Sequence, residues 1–373
     1  MNRIYNVGVV GAGAISSIYL ENMINRFTNI RPIAICSAHM ESAKEKGERF
    51  GLEICTPEEM FSRGDVDIIV NLTPVSEHYG IIKKALLSGK NVYTEKTVSE
   101  TVKQAKELCS LADERGLYLG SAPDTFLGSA LQSARMALNE GLIGEVNSFC
   151  ISINRSNDFL TGIFPFLRLP GAGALRDYEV YYMTALVALL GPVSKVCAFV
   201  YAPYPERQNK IPGTNDYGHT IKTPNESIVT AIIKLENGVT GTIHHNQETC
   251  RTDNAVFAIY GRKAIMMLHN PNYFGGVIKI LQDQPKIIRG IEQDPIVSTL
   301  EPGNRFSENY RGLGVAEMAD AISNGRKNRA SKELALHVLD VLESIEISSR
   351  TGEITDVKST CEKPEPFMTL SMS

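Results

Sequence analysis

Seven cysteines, at 36, 55, 109, 150, 197, 250 and 361, form no C-x-x-C pair, and an odd count supplies no disulfide framework. They are expected to be reduced and structural. Runs rich in Lys and Arg are missing, and a formal net charge of −4 leaves no basic excess for a phosphate backbone, which excludes nucleic acid as an expected partner. No stretch approaches the roughly 18 apolar residues of a membrane span. Met1–Val10 carries one basic residue, Arg3, and no long apolar core before the first glycine turn. A cytoplasmic chain without membrane contact is expected. H-E-x-x-H and H-x-x-x-H spacings are also absent, and His244 and His245, adjacent on a predicted strand, point to opposite faces, so no metal site is expected.

What is present is enough for one or two full cores: 373 residues, 43% hydrophobic and 21% charged. From Ile4 to Gly120, short apolar runs ("YNVGVV", "RPIAIC", "VDIIVNL", "NVYT", "LYLGSA") alternate with helix-length segments such as "AISSIYLENMINRF" and "VKQAKELCSLADERG". Nearly unbroken apolar strands separated by helices predict a parallel sheet covered on both faces, a doubly wound α/β domain over residues 1–122. Beyond Ala122 the runs lengthen ("VNSFCISIN", "VSKVCAFVYA", "ESIVTAIIKLENGVTGTIHHN") and are joined by turns, which predicts an α+β domain over 123–373 built on a large, mostly antiparallel sheet. "LRDYEVYYMTALVALLG" is apolar at helical spacing and ends at a glycine, so one helix is expected to pack on that sheet. A last helix at about 331–350 is expected to pack back on the first domain or stay with the second. One sheet face should lack a cover of its own helices, which predicts a homo-oligomer through that open face.

"VGVVGAGAISS" sets Gly11 and Gly13 between the first strand and the first helix, with Ala14 and Ile15 completing the turn. The first glycine permits a tight turn, and the second lets the backbone approach a pyrophosphate seated on free helix N–H groups. Ser16 holds the third fingerprint position and is small enough for close helix–strand packing. A carboxylate that would bond an adenine-ribose hydroxyl is missing after the second strand; Cys36, Ser37 and His39 stand there, with Lys44 beyond. Both NAD and NADP are therefore admitted as cofactors.

"NVYTEKTV" ends a strand in Glu95 and Lys96. In an open α/β sheet ligands sit beyond the carboxyl ends of the strands, so an ammonium at Lys96 can bond a reacting oxygen and stabilise a developing alkoxide. The alternative is a solvated ion pair at a strand end. Together with "NLTPVSEHY" at 71–79, "GLIGEV" at 141–146 and "PGAGALRDYEVYYMTALVALLGPV" at 170–193, the glycine turn and "TEKT" at 94–97 make the chain similar to the Gfo/Idh/MocA oxidoreductase family, which includes glucose–fructose oxidoreductase and inositol dehydrogenase.

The resemblance implies that Lys96 matches the lysine of an E-K-P motif that reaches the oxygen of the hydride-exchanging carbon, with Thr97 replacing the proline, often cis in that family. It places Glu95, Thr73 and Pro74 about the cofactor and His78 near the nicotinamide; a capping or satisfied core role is the alternative for His78. A second signature, D-x-G-x-H, matches Asp177, with Glu179 in place of the glycine and Tyr181 in place of the histidine. Tyrosine there occurs in glucose–fructose oxidoreductase and dihydrodiol dehydrogenases, so Tyr181 is implied as the acid/base and Asp177 as an orienting group. Acting as a base near neutrality, a phenol must be stabilised as phenolate by roughly 4 kcal/mol. An ammonium about 4 Å away supplies that much at an effective dielectric near 20.

The implied activity is NAD(P)-dependent hydride transfer with a secondary alcohol or ketone of a sugar, glycoside or cyclitol. Arg155, Arg168, Asp177, Glu179 and Asp124 are candidate substrate ligands; Asp124 can equally cap the following helix. Two other classes stay open: an enzyme with tightly held cofactor and internal redox, and a non-catalytic nucleotide sensor, suggested by the joint departures at Thr97, Glu179 and Tyr181.

Overall fold

A computed structural model describes residues 3–169, 171–253, 255–283 and 296–370. Two compact units divide the chain: residues 1–128, 304–339 and 364–373 form the first, and 129–303 with 340–363 the second.

The first unit alternates β1 (Tyr5–Val10), α1 (Ser16–Asn25), β2 (Ile30–Cys36), α2 (Met40–Phe50), β3 (Glu53–Ile54), α3 (Pro57–Ser62), β4 (Ile68–Asn71), α4 (Val75–Leu87), β5 (Asn91–Thr94), α5 (Val102–Arg115) and β6 (Leu119–Ser121). The strands pair in parallel in the order β3-β2-β1-β4-β5-β6. Val7, Val9, Ile68, Ile69, Val70 and Val92 are all fully buried, as strands covered on both faces require. The order reverses between β1 and β4, which opens the sheet's crevice at their carboxyl ends. The loops after β1, β4 and β5 therefore leave neighbouring strands at one edge.

The first unit is not continuous in sequence, unlike the 1–122 segment expected above. Side chains of the early chain bind the returning segment: Asn22 Nδ2 donates to the carbonyls of Asn309 (2.8 Å) and Arg311 (2.9 Å), and Asn29 Nδ2 to that of Ala316 (2.8 Å). Asn304 Nδ2 donates in turn to Leu127 O and Phe367 O.

The second unit begins with α6 (Ser129–Asn139), β7 (Val146–Asn154) and α7 (Asn157–Ile163). A π-helical turn at Leu175–Glu179 then runs into α8 (Val180–Leu190). Next come β8 (Val193–Tyr201), the short pair β9 (Glu206–Gln208) and β10 (Thr220–Lys222), β11 (Ile228–Leu235), β12 (Thr240–Asn246), β13 (Val256–Gly261), β14 (Ala264–Met267), β15 (Lys279–Gln282) and β16 (Ile296–Thr299). Helix α9 (Leu313–Ser323) belongs to the first unit; α10 (Lys332–Thr351) starts in the first and finishes in the second, before β17 (Thr355–Asp356). Among the described residues the large sheet has nine strands, β16-β15-β14-β13-β7-β12-β11-β8-β17, antiparallel except between β7 and β12.

Helix α8 is buried along nearly its whole length, and Tyr182 reaches the inner face of the sheet, where its ring lies 5.8 Å from that of Phe257 on β13. It stops at Gly191, whose φ of +104° an L side chain rarely adopts. Along β11 and β12 burial alternates strictly, with Val229, Ala231, Ile233, Ile243 and His245 inside and Thr230, Ile232, Thr242 and His244 outside. Phe199, Tyr201 and Ile232 are large apolar side chains on that outer face, all more than half exposed. The seven cysteines are free thiols, no group of three or more His, Cys, Asp or Glu suited to a metal occurs among the described residues, and no helix of theirs is long and apolar enough to cross a membrane.

Candidate active site

At Gly11 the backbone takes φ +105°, and a Cβ there would stand 2.7–2.9 Å from the backbone of Leu72 and Thr73. The turn after β1 thus passes against the end of β4 at a distance only glycine allows. Gly13 is the opposite case: nothing lies within 4 Å of a Cβ built on it, so its backbone is open to an approaching group. Ser16, fully buried, donates from Oγ to Gly13 O at 2.7 Å and pins the turn to the first residue of α1. Ala14 is exposed and Ile15 partly so. These features fit a dinucleotide: a tight first glycine, an uncovered second, and a helix starting beyond. After β2, Cys36 O accepts the Gly11 N–H at 2.8 Å, Ser37 Oγ accepts the His39 N–H at 3.2 Å, and His39 is exposed. Lys44 is paired with Glu41.

Asn71, at the end of β4, ties two loops together. Its Oδ1 accepts from Thr73 Oγ1 (2.7 Å) and its Nδ2 donates to Thr94 Oγ1 (3.0 Å). Pro74 is exposed beside it. Glu95 N–H donates to Asn71 O, and the Glu95 carboxylate accepts from the Tyr19 phenol (2.7 Å) and the Lys96 N–H (3.1 Å). Tyr19 is wholly buried; burial, with Glu95 next to it, holds its pKa well above the usual phenol value. Tyr19 carries no motif and was not singled out from sequence. Lys96 is half-buried in the loop after β5, and its peptide bond to Thr97 is cis.

Of the two roles expected for His78, its surroundings match the core one. It is 0% exposed, with Nδ1 2.7 Å from Thr97 O and Nε2 2.9 Å from Thr73 O. The ring is a strut between the loops after β4 and β5, the satisfied-core alternative. Burial lowers its pKa below the ordinary histidine value. Asp124 is likewise 1% exposed and takes the N–H groups of Gly312 (3.1 Å) and Gly314 (3.0 Å) at the start of α9. It caps a helix nearly two hundred residues on rather than the next one. Burial raises its carboxyl to about 6.

In the second unit, Asp177 lies in the π-helical turn and Tyr181 in the first turn of α8, both partly exposed, while Glu179, Val180 and Tyr182 between and beside them are buried. Pro170, at the head of this glycine-rich run, lies outside the described residues. Arg155, leaving β7, sets its guanidinium 3.8 Å over the Tyr178 ring and 3.4 Å from Asp177 Oδ2. Tyr178 and Tyr181 rings are 6.1 Å apart, and Tyr178 OH accepts from Asn270 Nδ2 at 2.7 Å. A small polar recess beside Asp177 is lined by Asn157, Thr161, Asn225, Glu226 and Gln247. Glu226 accepts the Leu175 N–H at 3.1 Å, and burial raises its carboxyl to about 7.

Two substrate candidates are placed elsewhere. Arg168 is held by Asp216 and by the carbonyls of Thr161 and Gly162, a loop-to-loop brace. Glu179 is 0% exposed and turned into the core, so it lines no accessible pocket. Its neighbour there is His245, which no local pattern could announce, since 66 residues separate them.

Comparison with known proteins agrees with this architecture. Residues 5–122 match the family model described as "Oxidoreductase family, NAD-binding Rossmann fold", and 131–267 that of the "GFO/IDH/MocA C-terminal domain". The dTDP-3,4-didehydro-2,6-dideoxy-alpha-D-glucose 3-reductase of Streptomyces violaceoruber is 30% identical over 52% of this chain and 57% of its own. The inositol 2-dehydrogenase of Rhizobium meliloti is 23% identical over 50% of this chain and 56% of its own. The chain spans about half the length of the curated relatives it matches. Levoglucosan dehydrogenase solved in complex with NADH shares the fold, with a TM-score of 0.79 at 19% identity, over 96% of this chain and all of that one.

Proposed function

Because the chain belongs to the Gfo/Idh/MocA oxidoreductase family and has its NAD-binding Rossmann domain, we propose that it transfers a hydride between NAD(P) and a secondary alcohol or ketone of a sugar, glycoside or cyclitol. One observation carries the reading: at the edge where parallel strands end, the Gly11–Gly13 turn, the Thr73 loop and Lys96 leave the neighbouring strands β1, β4 and β5. Gly11, Gly13, Ala14, Ile15, Ser37, His39, Thr73 and Pro74 would hold the dinucleotide, with Glu95 and His78 fixing the loop beneath it. The bound nicotinamide supplies or accepts the hydride.

Lys96 then bonds the reacting oxygen and stabilises its alkoxide character. In reduction, the Tyr181 phenol gives its proton to that oxygen; in oxidation the phenolate takes it back. Asp177, braced by Arg155, orients the substrate or the tyrosine. The names of the sugar-nucleotide reductase and inositol dehydrogenase relatives support the same substrate class.

The test is absorbance at about 340 nm with NAD and, separately, NADP against a panel of sugars, glycosides and inositols. Growth with one panel member, abolished in Lys96→Met, is expected. A chain that binds NADH yet gives no change with any member, in either direction, would contradict the reading.

A further inference from the structure

Glu179 ends the π-helical turn at the position where the family signature has glycine, and its side chain is completely buried. Across from it His245 projects from β12, also 0% exposed. In the strand register His245 stands between Val229 of β11 and Ile153 of β7, both apolar and buried. An imidazole in that setting needs a polar partner, and so does a carboxyl. His245 Nδ1 and Glu179 Oε1 lie 3.3 Å apart, outside hydrogen-bond geometry, and among the described residues neither side chain has a hydrogen-bond partner. Each is a polar group the other can bond.

From this pair, contacts run in a closed ring. The His245 ring lies 6.0 Å from the Tyr178 ring, Arg155 stacks on Tyr178 at 3.8 Å, and Arg155 meets Asp177 Oδ2 at 3.4 Å. Asp177 is two residues from Glu179 along the same turn. A rotation of that turn against β12 would move every member.

We propose that Glu179 and His245 are a buried positioning pair that fixes the π-helical turn on β12 and thereby sets the Asp177 carboxylate against Arg155. The inference rests on the function proposed above only for what Asp177 does once placed. Burial raises the Glu179 carboxyl to about 8 and lowers the His245 imidazole to about 3, so near neutrality both are uncharged, and a small turn of either side chain would let the protonated carboxyl donate to Nδ1. The charged and titratable groups around it are Arg155 from β7, Asp177, Tyr178 and Tyr182 from its own helix, and His244 on the opposite face of β12.

Crystal structures and kinetics of Glu179→Ala and Glu179→Gln test the pair. The alanine variant is expected to lose the Arg155–Asp177 contact and about 10²-fold in kcat/KM. The glutamine variant, whose amide can still donate to Nδ1, is expected to keep the contact and most of the rate. An alanine variant with the contact and kinetics intact, or a glutamine variant as damaged as the alanine one, overturns the pair. Should the alanine variant not fold, the histidine NMR of the wild-type protein decides: His245 must stay neutral with Nδ1 as acceptor from about pH 5 to 8, and a signal titrating near the ordinary value of about 6.5 overturns the proposal. If no sugar is turned over while the contact responds as expected, the functional reading fails and the pair stands.

Discussion

At the scale of the residue, the proposed chemistry rests on Lys96 and Tyr181, and each has a variant that isolates its part. Lys96→Met keeps the stem and removes the charge; kcat/KM is expected to fall about 10²–10³-fold while the NADH affinity read by fluorescence titration changes little. Tyr181→Phe removes only the proton, and a loss of about 10²–10⁴ in kcat is expected, measured by steady-state kinetics. Both positions stand out as candidates in the sequence because each sits in a motif only a few residues long. Tyr19, which holds Glu95 from 76 residues away, was not legible, and neither were the partners of His78 and Asp124. A side chain's own type tells what it can bond, and only the fold tells what it meets. That is why His78 stays open in the sequence between a cofactor neighbour and a core histidine, while the fold shows a strut.

Elements place these residues, and glycine and burial decide how firmly. Gly11→Ala forces a side chain onto a φ of +105° and into the backbone of Leu72, a strain of about 1–3 kcal/mol that is expected to abolish NADH binding in calorimetry. The π-helical turn is expected to respond to pH through Glu226, whose carboxyl accepts the Leu175 N–H. Its folded value, about 7, lies above the unfolded glutamate value near 4.3, so the folded state holds the proton longer. The stability it contributes is complete below about pH 4 and is lost as pH rises through about 7, on the order of 3 kcal/mol in all. Glu226→Gln is expected to flatten the fall of the thermal midpoint between about pH 5 and 8. Alternation of apolar runs with helices made five of the six parallel strands readable; β3, two residues long, carries no pattern of its own. The departure from α-helix at Leu175–Glu179 left no trace in the local pattern, and the residue Glu179 faces, His245, lies on a distant strand.

For the whole molecule, the division of the chain was only partly readable. Residues 304–339 return to the first unit because asparagines at 22 and 29 bond their backbone, and such contacts have no period in sequence. The open face of the large sheet, with Phe199, Tyr201 and Ile232 more than half exposed, supports the proposal of a homo-oligomer. Light scattering on the eluting protein is expected to give a multiple of 41.0 kDa, reduced to the single-chain mass by Phe199→Asp with Ile232→Asp. The function proposed for the chain rests most directly on its lysine. The decisive measurement follows absorbance at about 340 nm for wild type and Lys96→Met, side by side, with NAD(P) and the sugar and cyclitol panel. Growth in the wild type and none in a variant that still binds NADH is predicted; equal rates in the two would contradict hydride transfer at Lys96.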